Sequence, residues 1–176
     1  MEIQFEIAKY VLNESHESLP NLAYDAMLNG YESESMTILA GMTVQDSMSE
    51  RIQYFQKGLD ELGLKLPQKR EAAITLLKHY LTEIIDNPNN SYEYMIRIDN
   101  ELYKPIFLEE SSTKKYVGEE IGLEKMYTWY RELQDFKDES RLLYYNELPK
   151  ESQKQKFIEH LTEEANNLLK SRSFEK

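Results

Sequence analysis

The chain has 176 residues, which fits one domain long enough to bury a core without staples. It has no cysteine, which excludes disulfides, thiolate metal sites and cysteine nucleophiles. Its formal charge is −11, and residues 1–50 hold nine acids against the single base Lys9, a field that repels phosphate backbones and suits a basic protein partner better than nucleic acid.

Apolar residues recur at spacings of three and four almost throughout, so the expected fold is all-α, with seven to nine helices and little or no sheet. The opening "MEIQFEIAKY" has no basic n-region and does not read as a signal peptide. No stretch approaches the roughly 20 apolar residues of a membrane helix, and a cytoplasmic protein is expected.

In chain order, Ile3, Ile7, Tyr10 and Val11 form the first stripe, and Leu19, Leu22, Ala23, Ala26 and Met27 the second. Asn29-Gly30 closes that second helix, because glycine takes the left-handed conformation of a C-terminal cap at little cost. Ser33 or Ser35 then caps a short helix carrying Ile38, Leu39 and Met42, which Gly41 ends. The segment "NGYESESMTILAGM" lacks the lysine and the preceding strand of a phosphate loop, and reads as punctuation between helices.

Ser47 and Glu50 have the spacing of a capping box. The helix they open has Ile52, Phe55, Leu59 and Leu62 as its stripe and Gly63 as its stop. Pro67 suits the first turn of a fifth helix, whose stripe is Ala72, Ala73, Leu76, Leu77, Tyr80, Leu81, Ile84 and Ile85. A stripe that wide predicts a central helix packed on more than one side. A sixth helix is expected over 91–103, although "YMIRI" also alternates as a strand would. "PIFLEESSTKK" reads as a linker or ordered loop. It suggests a subdivision of the single domain into a body, 1–104, and an aromatic-rich part, 105–176.

Leu123, Met126, Tyr127, Tyr130 and Leu133 line a seventh helix. Pro149 opens a last one with Phe157, Ile158, Leu161, Ala165, Leu168 and Leu169, and "SRSFEK" is expected to fray. The expected core is Leu22, Ala26, Leu39, Phe55, Leu59, Ala73, Leu76, Leu77, Tyr80 and Ile84.

Catalytic and metal-binding signatures are missing. The three histidines, His16, His79 and His160, occur in neither H-E-x-x-H nor Glu-x-x-His. No G-x-S-x-G elbow is present. Pairs such as Glu109-Glu110 and Glu119-Glu120 are adjacent, so on a helix they diverge by about 100° and make no ready acid–base pair. The sequence therefore nominates no catalytic, cofactor-binding or metal residue and implies no cofactor. Aromatics are the strongest remaining signal. Trp129, Phe136, Tyr144 and Tyr145 cluster near the C-terminus, and in "LLYYNELP" four consecutive large residues cannot all face one core. Together with Glu32, Glu34 and Asp46 they are the candidate partner surface.

The run "YDAMLNGYESESMTILAGM", followed by "ERIQYFQKGLDELGLKLP" and "EAAITLLKHYLTEII", resembles a group of small all-helical bacterial proteins of uncharacterised function. The resemblance is carried by Tyr24, Met27, Gly30, Ser35, Leu39, Ala40, Gly41, Phe55, Leu62 and Gly63, and extends from Asn21 to Asp86. It implies a bacterial cytosolic helical protein and transfers no catalytic residue. Small acidic proteins of this kind also resemble immunity or accessory proteins. The expected function is a non-catalytic protein-binding factor, immunity-like or regulatory. The alternative is a small helical enzyme or ligand-binding protein with a pocket near Tyr24, Tyr31, Ser35 and His79.

Overall fold

The computed structural model describes residues 3–13, 18–108, 115–172 and Phe174. The chain is all-α: the described residues form eight α-helices and three short or widened helical segments, and no strand occurs among them. Contacts divide it into two compact units, residues 1–76 and 77–176, rather than at the 104/105 break that the sequence suggested.

The first unit is built from α1 (Ile3–Asn13), α2 (Leu19–Leu28), α3 (Glu34–Ala40), α4 (Met48–Glu61) and the first half of α5 (Lys69–Asp86). Ile3, Ile7, Leu19, Leu22, Ala26, Met36, Leu39, Phe55 and Leu59 make one buried cluster. Phe55 is fully buried, with the Tyr10 ring set edge-on 4.9 Å away. Removing such a side chain from water contributes about 1.5–3 kcal/mol. At the end of α2, Gly30 has φ +85°, and the Tyr31 N–H reaches back to the Ala26 carbonyl at 3.0 Å. This is the expected left-handed cap. Gly41 also follows its helix, but at φ −85°, where any residue fits.

Two expected helix starts differ in their chemistry. Ser47 does stand at the cap position of α4, yet its side chain makes no capping bond. Pro67 lies two residues ahead of α5. There the Glu71 carboxylate accepts the Gln68 N–H at 2.9 Å, so a first-turn acid braces the entry instead.

The second unit holds the remainder of α5, then α6 (Ser91–Arg97), a π-helical stretch over Ile98–Phe107, α7 (Glu124–Lys137) and α8 (Lys150–Ser171). "YMIRI" is helical, not a strand. The expected linker is also helical as far as Phe107, and the part of it over 109–114 lies outside the described residues. Pro105 sits inside the π-helical stretch. A proline ring collides with the carbonyl four residues back in a regular α-helix, and the wider turn relieves that collision. Phe107, Phe157, Leu161 and Ala165 are buried, as are Leu123, Met126 and Leu133. Of the tail expected to fray, Phe174 is buried, with the Lys78 ammonium 5.6 Å from its ring centre, and residues 173, 175 and 176 lie outside the described residues. All ten expected core residues are buried.

Candidate functional site

The second unit carries an open groove of about 630 Å³ between α6, the π-helical stretch and α7. Half of it is one face of α7. Glu124, Tyr127, Thr128, Arg131 and Asp135 follow each other at spacings of three, one, three and four, which stacks them along a single helical stripe. Tyr92 of α6 and Asp99 of the π-helical stretch supply the opposite wall, and the exposed Tyr116 and Val117 form the rim.

Aromatic rings run along the groove in a row. Tyr92 lies 5.5 Å from Tyr130, Tyr130 6.3 Å from Tyr127, and Tyr127 5.2 Å from the buried Tyr103. The hydroxyls at the inner end are fixed. Tyr127 donates to Asp99 Oδ1 at 3.0 Å, and Tyr103 accepts the Gly118 N–H at 3.1 Å. Gly118 makes that approach possible. It has φ +78°, and a Cβ there would stand 2.8 Å from Leu123 Cβ and from the Tyr127 ring. Burial, then the negative charge of Asp99, pushes the Tyr127 phenol well above its ordinary value. Burial, with Tyr92 and Asp99 adding to it, pushes Tyr130 up to about 12. Both remain neutral phenols at physiological pH.

Among the described residues, four carboxylates line the groove, Asp99, Glu124, Asp135 and Asp138, with the base Arg131. Only Asp99 takes an ion-pair partner among the described residues, Lys104 at 2.7 Å. Glu124 Oε2 is shut off from solvent and receives no hydrogen bond, and both oxygens of Glu120, in the short 3-10 turn Glu119–Ile121 that precedes α7, are in the same condition. Two of the ring faces already hold cations: Lys137 Nζ stands 3.7 Å from the centre of Tyr92, and Lys115 Nζ 5.0 Å from that of Tyr116. Chemically the groove offers aromatic faces and negative charge, the pairing that receives cations. No group of three or more His, Asp or Glu arranged to hold a metal ion occurs among the described residues.

The residues expected from sequence fall elsewhere. Trp129 is half-buried. It stacks on His160, with ring centres 3.9 Å apart and planes 10° from parallel, and also meets Tyr144, Tyr145 and Phe157. His160 Nε2 lies 2.7 Å from the Tyr145 hydroxyl, and its Nδ1 3.9 Å from Glu163. Glu164 instead pairs with Lys125. In "LLYY", Leu142 is buried, Leu143 and Tyr144 are exposed, and Tyr145 turns back at φ +60°. The buried Glu132 organises this turn by accepting the N–H groups of Leu143 and Tyr144, at 3.0 and 3.2 Å. Phe136 is half-buried over a small cavity shared with Tyr92 and Ile158.

Glu32, Glu34 and Asp46 belong to the first unit. Glu32 and Glu34 are exposed, whereas Asp46 accepts the Thr43 N–H and hydroxyl at 2.6 and 3.0 Å, which holds its carboxyl below the usual range. Of the expected ligand pocket, Tyr24 is exposed and Ser35 is fully buried with its hydroxyl on Glu61. Tyr31 packs at the edge of the first core, and His79 belongs to the second unit, beside Tyr80. His16 and Glu109-Glu110 lie outside the described residues.

The groove was missed because its opposite wall, Tyr92 and Asp99, joins α7 only through tertiary packing. The polar stripe of α7 was legible by spacing alone. No helix among the described residues is long and apolar enough to cross a membrane. Compared with known protein families, with curated proteins and with solved structures, the chain has no match.

Proposed function

We propose that the protein is a non-catalytic binding factor for a basic protein partner, and that the groove of the second unit is its contact. The observation that carries this reading is the groove's composition: a row of tyrosines with three carboxylates, Glu124, Asp135 and Asp138, unpaired among the described residues. Tyrosine is a favoured interface anchor, and each cation placed over a ring face contributes about 0.5–2 kcal/mol. The exposed Leu143 and Tyr144, held in place by Glu132, offer a second contact on the same unit. The setting is a bacterial cytoplasm, and the role immunity-like or regulatory.

The test is a panel of peptides of equal length, one rich in lysine and arginine, one neutral and one acidic. Only the basic peptide should bind, and its affinity should fall as salt rises, because screening acts over about 10 Å at 0.1 M. Equal binding of neutral and basic peptides overturns the reading.

The groove's volume favours a second reading, a small-ligand site, since such pockets run from about 300 to 1,000 Å³. This moves the ligand-binding alternative from Tyr24, Tyr31, Ser35 and His79 to Tyr127 and Tyr130.

A further inference from the structure

We infer that the small cavity at Phe136 is a binding site for a compact organic carboxylate, one anionic head on an apolar body the size of a phenyl ring or a branched alkyl chain. The inference goes beyond the partner-binding reading and does not depend on it. Tyr92 alone among the described residues lines both the groove and this cavity.

The cavity measures about 140 Å³ and lies where the turn Pro88–Asn90, α6, α7 and α8 meet. Its floor is apolar: Leu133 and Ile158 are buried, and Tyr92 and Phe136 are half-buried. An apolar cavity of about 150 Å³ stays dry and takes up benzene, so this one has room for a phenyl ring or a branched chain of about four or five carbons.

The lip differs in kind. Lys137 of α7 and Lys154 of α8 are exposed there, with Asn89 and Glu93 beside them. Both ammonium groups are therefore within reach of a molecule arriving from solvent. Neither lysine takes an ion-pair partner among the described residues, although Glu93 lines the same cavity. Lys137 is positioned by its ring contact, Nζ standing 3.7 Å from the centre of Tyr92. An ammonium has three donors, so one ring contact leaves it able to donate to a carboxylate. Lysine stems often cover apolar surface, yet here the space beside them stays open.

The charge selects the head. Two lysines against one glutamate leave a single positive charge at the lip, which one carboxylate neutralises. A dianionic phosphate would leave surplus negative charge on a chain whose formal charge is already −11. Asn89 can add an amide N–H to the carboxylate.

The experiment follows the methyl NMR signals of Leu133 and Ile158 in the full chain during titration with benzoate and with 3-methylbutanoate. Benzamide supplies the ring without the charge, and acetate the charge without the body. An acid that fits should shift both residues saturably, and benzamide and acetate should bind about tenfold or more weakly. Lys154→Gln should weaken the acid about tenfold and Lys154→Arg should retain it, with the helical circular dichroism unchanged in both.

Benzamide or acetate binding as tightly as the acids overturns the inference, as does indifference to Lys154→Gln. No saturable shift with either acid overturns it as well. Tighter binding of benzoate assigns the body to a ring, and tighter binding of 3-methylbutanoate to a branched chain; both sustain the site. The two readings fail separately, because the basic-peptide panel tests the groove and the acid titration tests this cavity.

Discussion

The carboxylate of Glu61 accepts both the backbone N–H of Ser35, at 3.0 Å, and its hydroxyl, at 2.8 Å. Ser35 stands in the first turn of α3 and Glu61 ends α4, so the second helix supplies the anion that satisfies the N-terminus of the first. Ser33 is the cap itself, its hydroxyl accepting the Met36 N–H at 3.2 Å.

These bonds, the backbone bond from Ser35 first, hold the Glu61 carboxyl below its ordinary 4.5. A carboxyl whose pKa is depressed by folding adds stability above its unfolded pKa, and loses it as pH falls through the folded value. Stability should therefore decline on acidification below about pH 4.5, and Glu61→Gln should flatten that part of the profile. Denaturant melts of both proteins between pH 7 and pH 2.5 measure this. Parallel curves would contradict it.

Gly30 and Gly41 look alike in the sequence and differ in the structure. At φ +85°, with nothing within 4 Å of a Cβ, Gly30→Ala meets conformational strain alone and should lose about 1 kcal/mol. At φ −85° Gly41→Ala should be neutral or slightly stabilising. Thermal melts of the two variants should separate, and equal Tm values would disprove the distinction.

Gly118→Ala combines left-handed strain with overlap on Leu123 and the Tyr127 ring. Roughly 2–4 kcal/mol of destabilisation is expected, about 1 from the backbone and the rest from overpacking. Because Tyr127 must move, cation binding in the groove should weaken even where the variant is folded. A variant that melts and binds like the parent would show that the close approach is not needed.

At high pH the tyrosines set the limit. Burial, first among the causes, raises Tyr80, Tyr127 and Tyr130 above the ordinary 10.0. A group whose pKa is raised by folding contributes fully below its unfolded value, and the contribution is lost as pH rises through the folded value. Stability should hold to about pH 10 and then fall. A fraction of the phenolate absorbance should appear only together with loss of helix. Complete ionisation of a still helical protein would refute this.

Helix type was legible in the sequence because burial of a helix face imposes a spacing of three and four. That spacing placed all ten expected core residues, from Leu22 to Ile84, and capping chemistry placed Gly30 and narrowed the next cap to Ser33 or Ser35, of which Ser33 is the cap. Local signals cannot report partners distant in the chain. Only tertiary packing decided that Ser35 belongs to Glu61, 26 residues on, and that Phe174 folds in rather than frays. The same holds for the site. The charged stripe of α7 is periodic and readable, but it becomes a groove only where Asp99, 28 residues before Tyr127, and Tyr92 close its other side. Trp129 was visible as an aromatic next to others, yet its stack on His160 joins two helices across the turn that Glu132 holds. Sequence periodicity fixes which face of a helix is buried. Which neighbour covers it depends on loop lengths, side-chain shape and charge acting together, and those meet only in the folded chain.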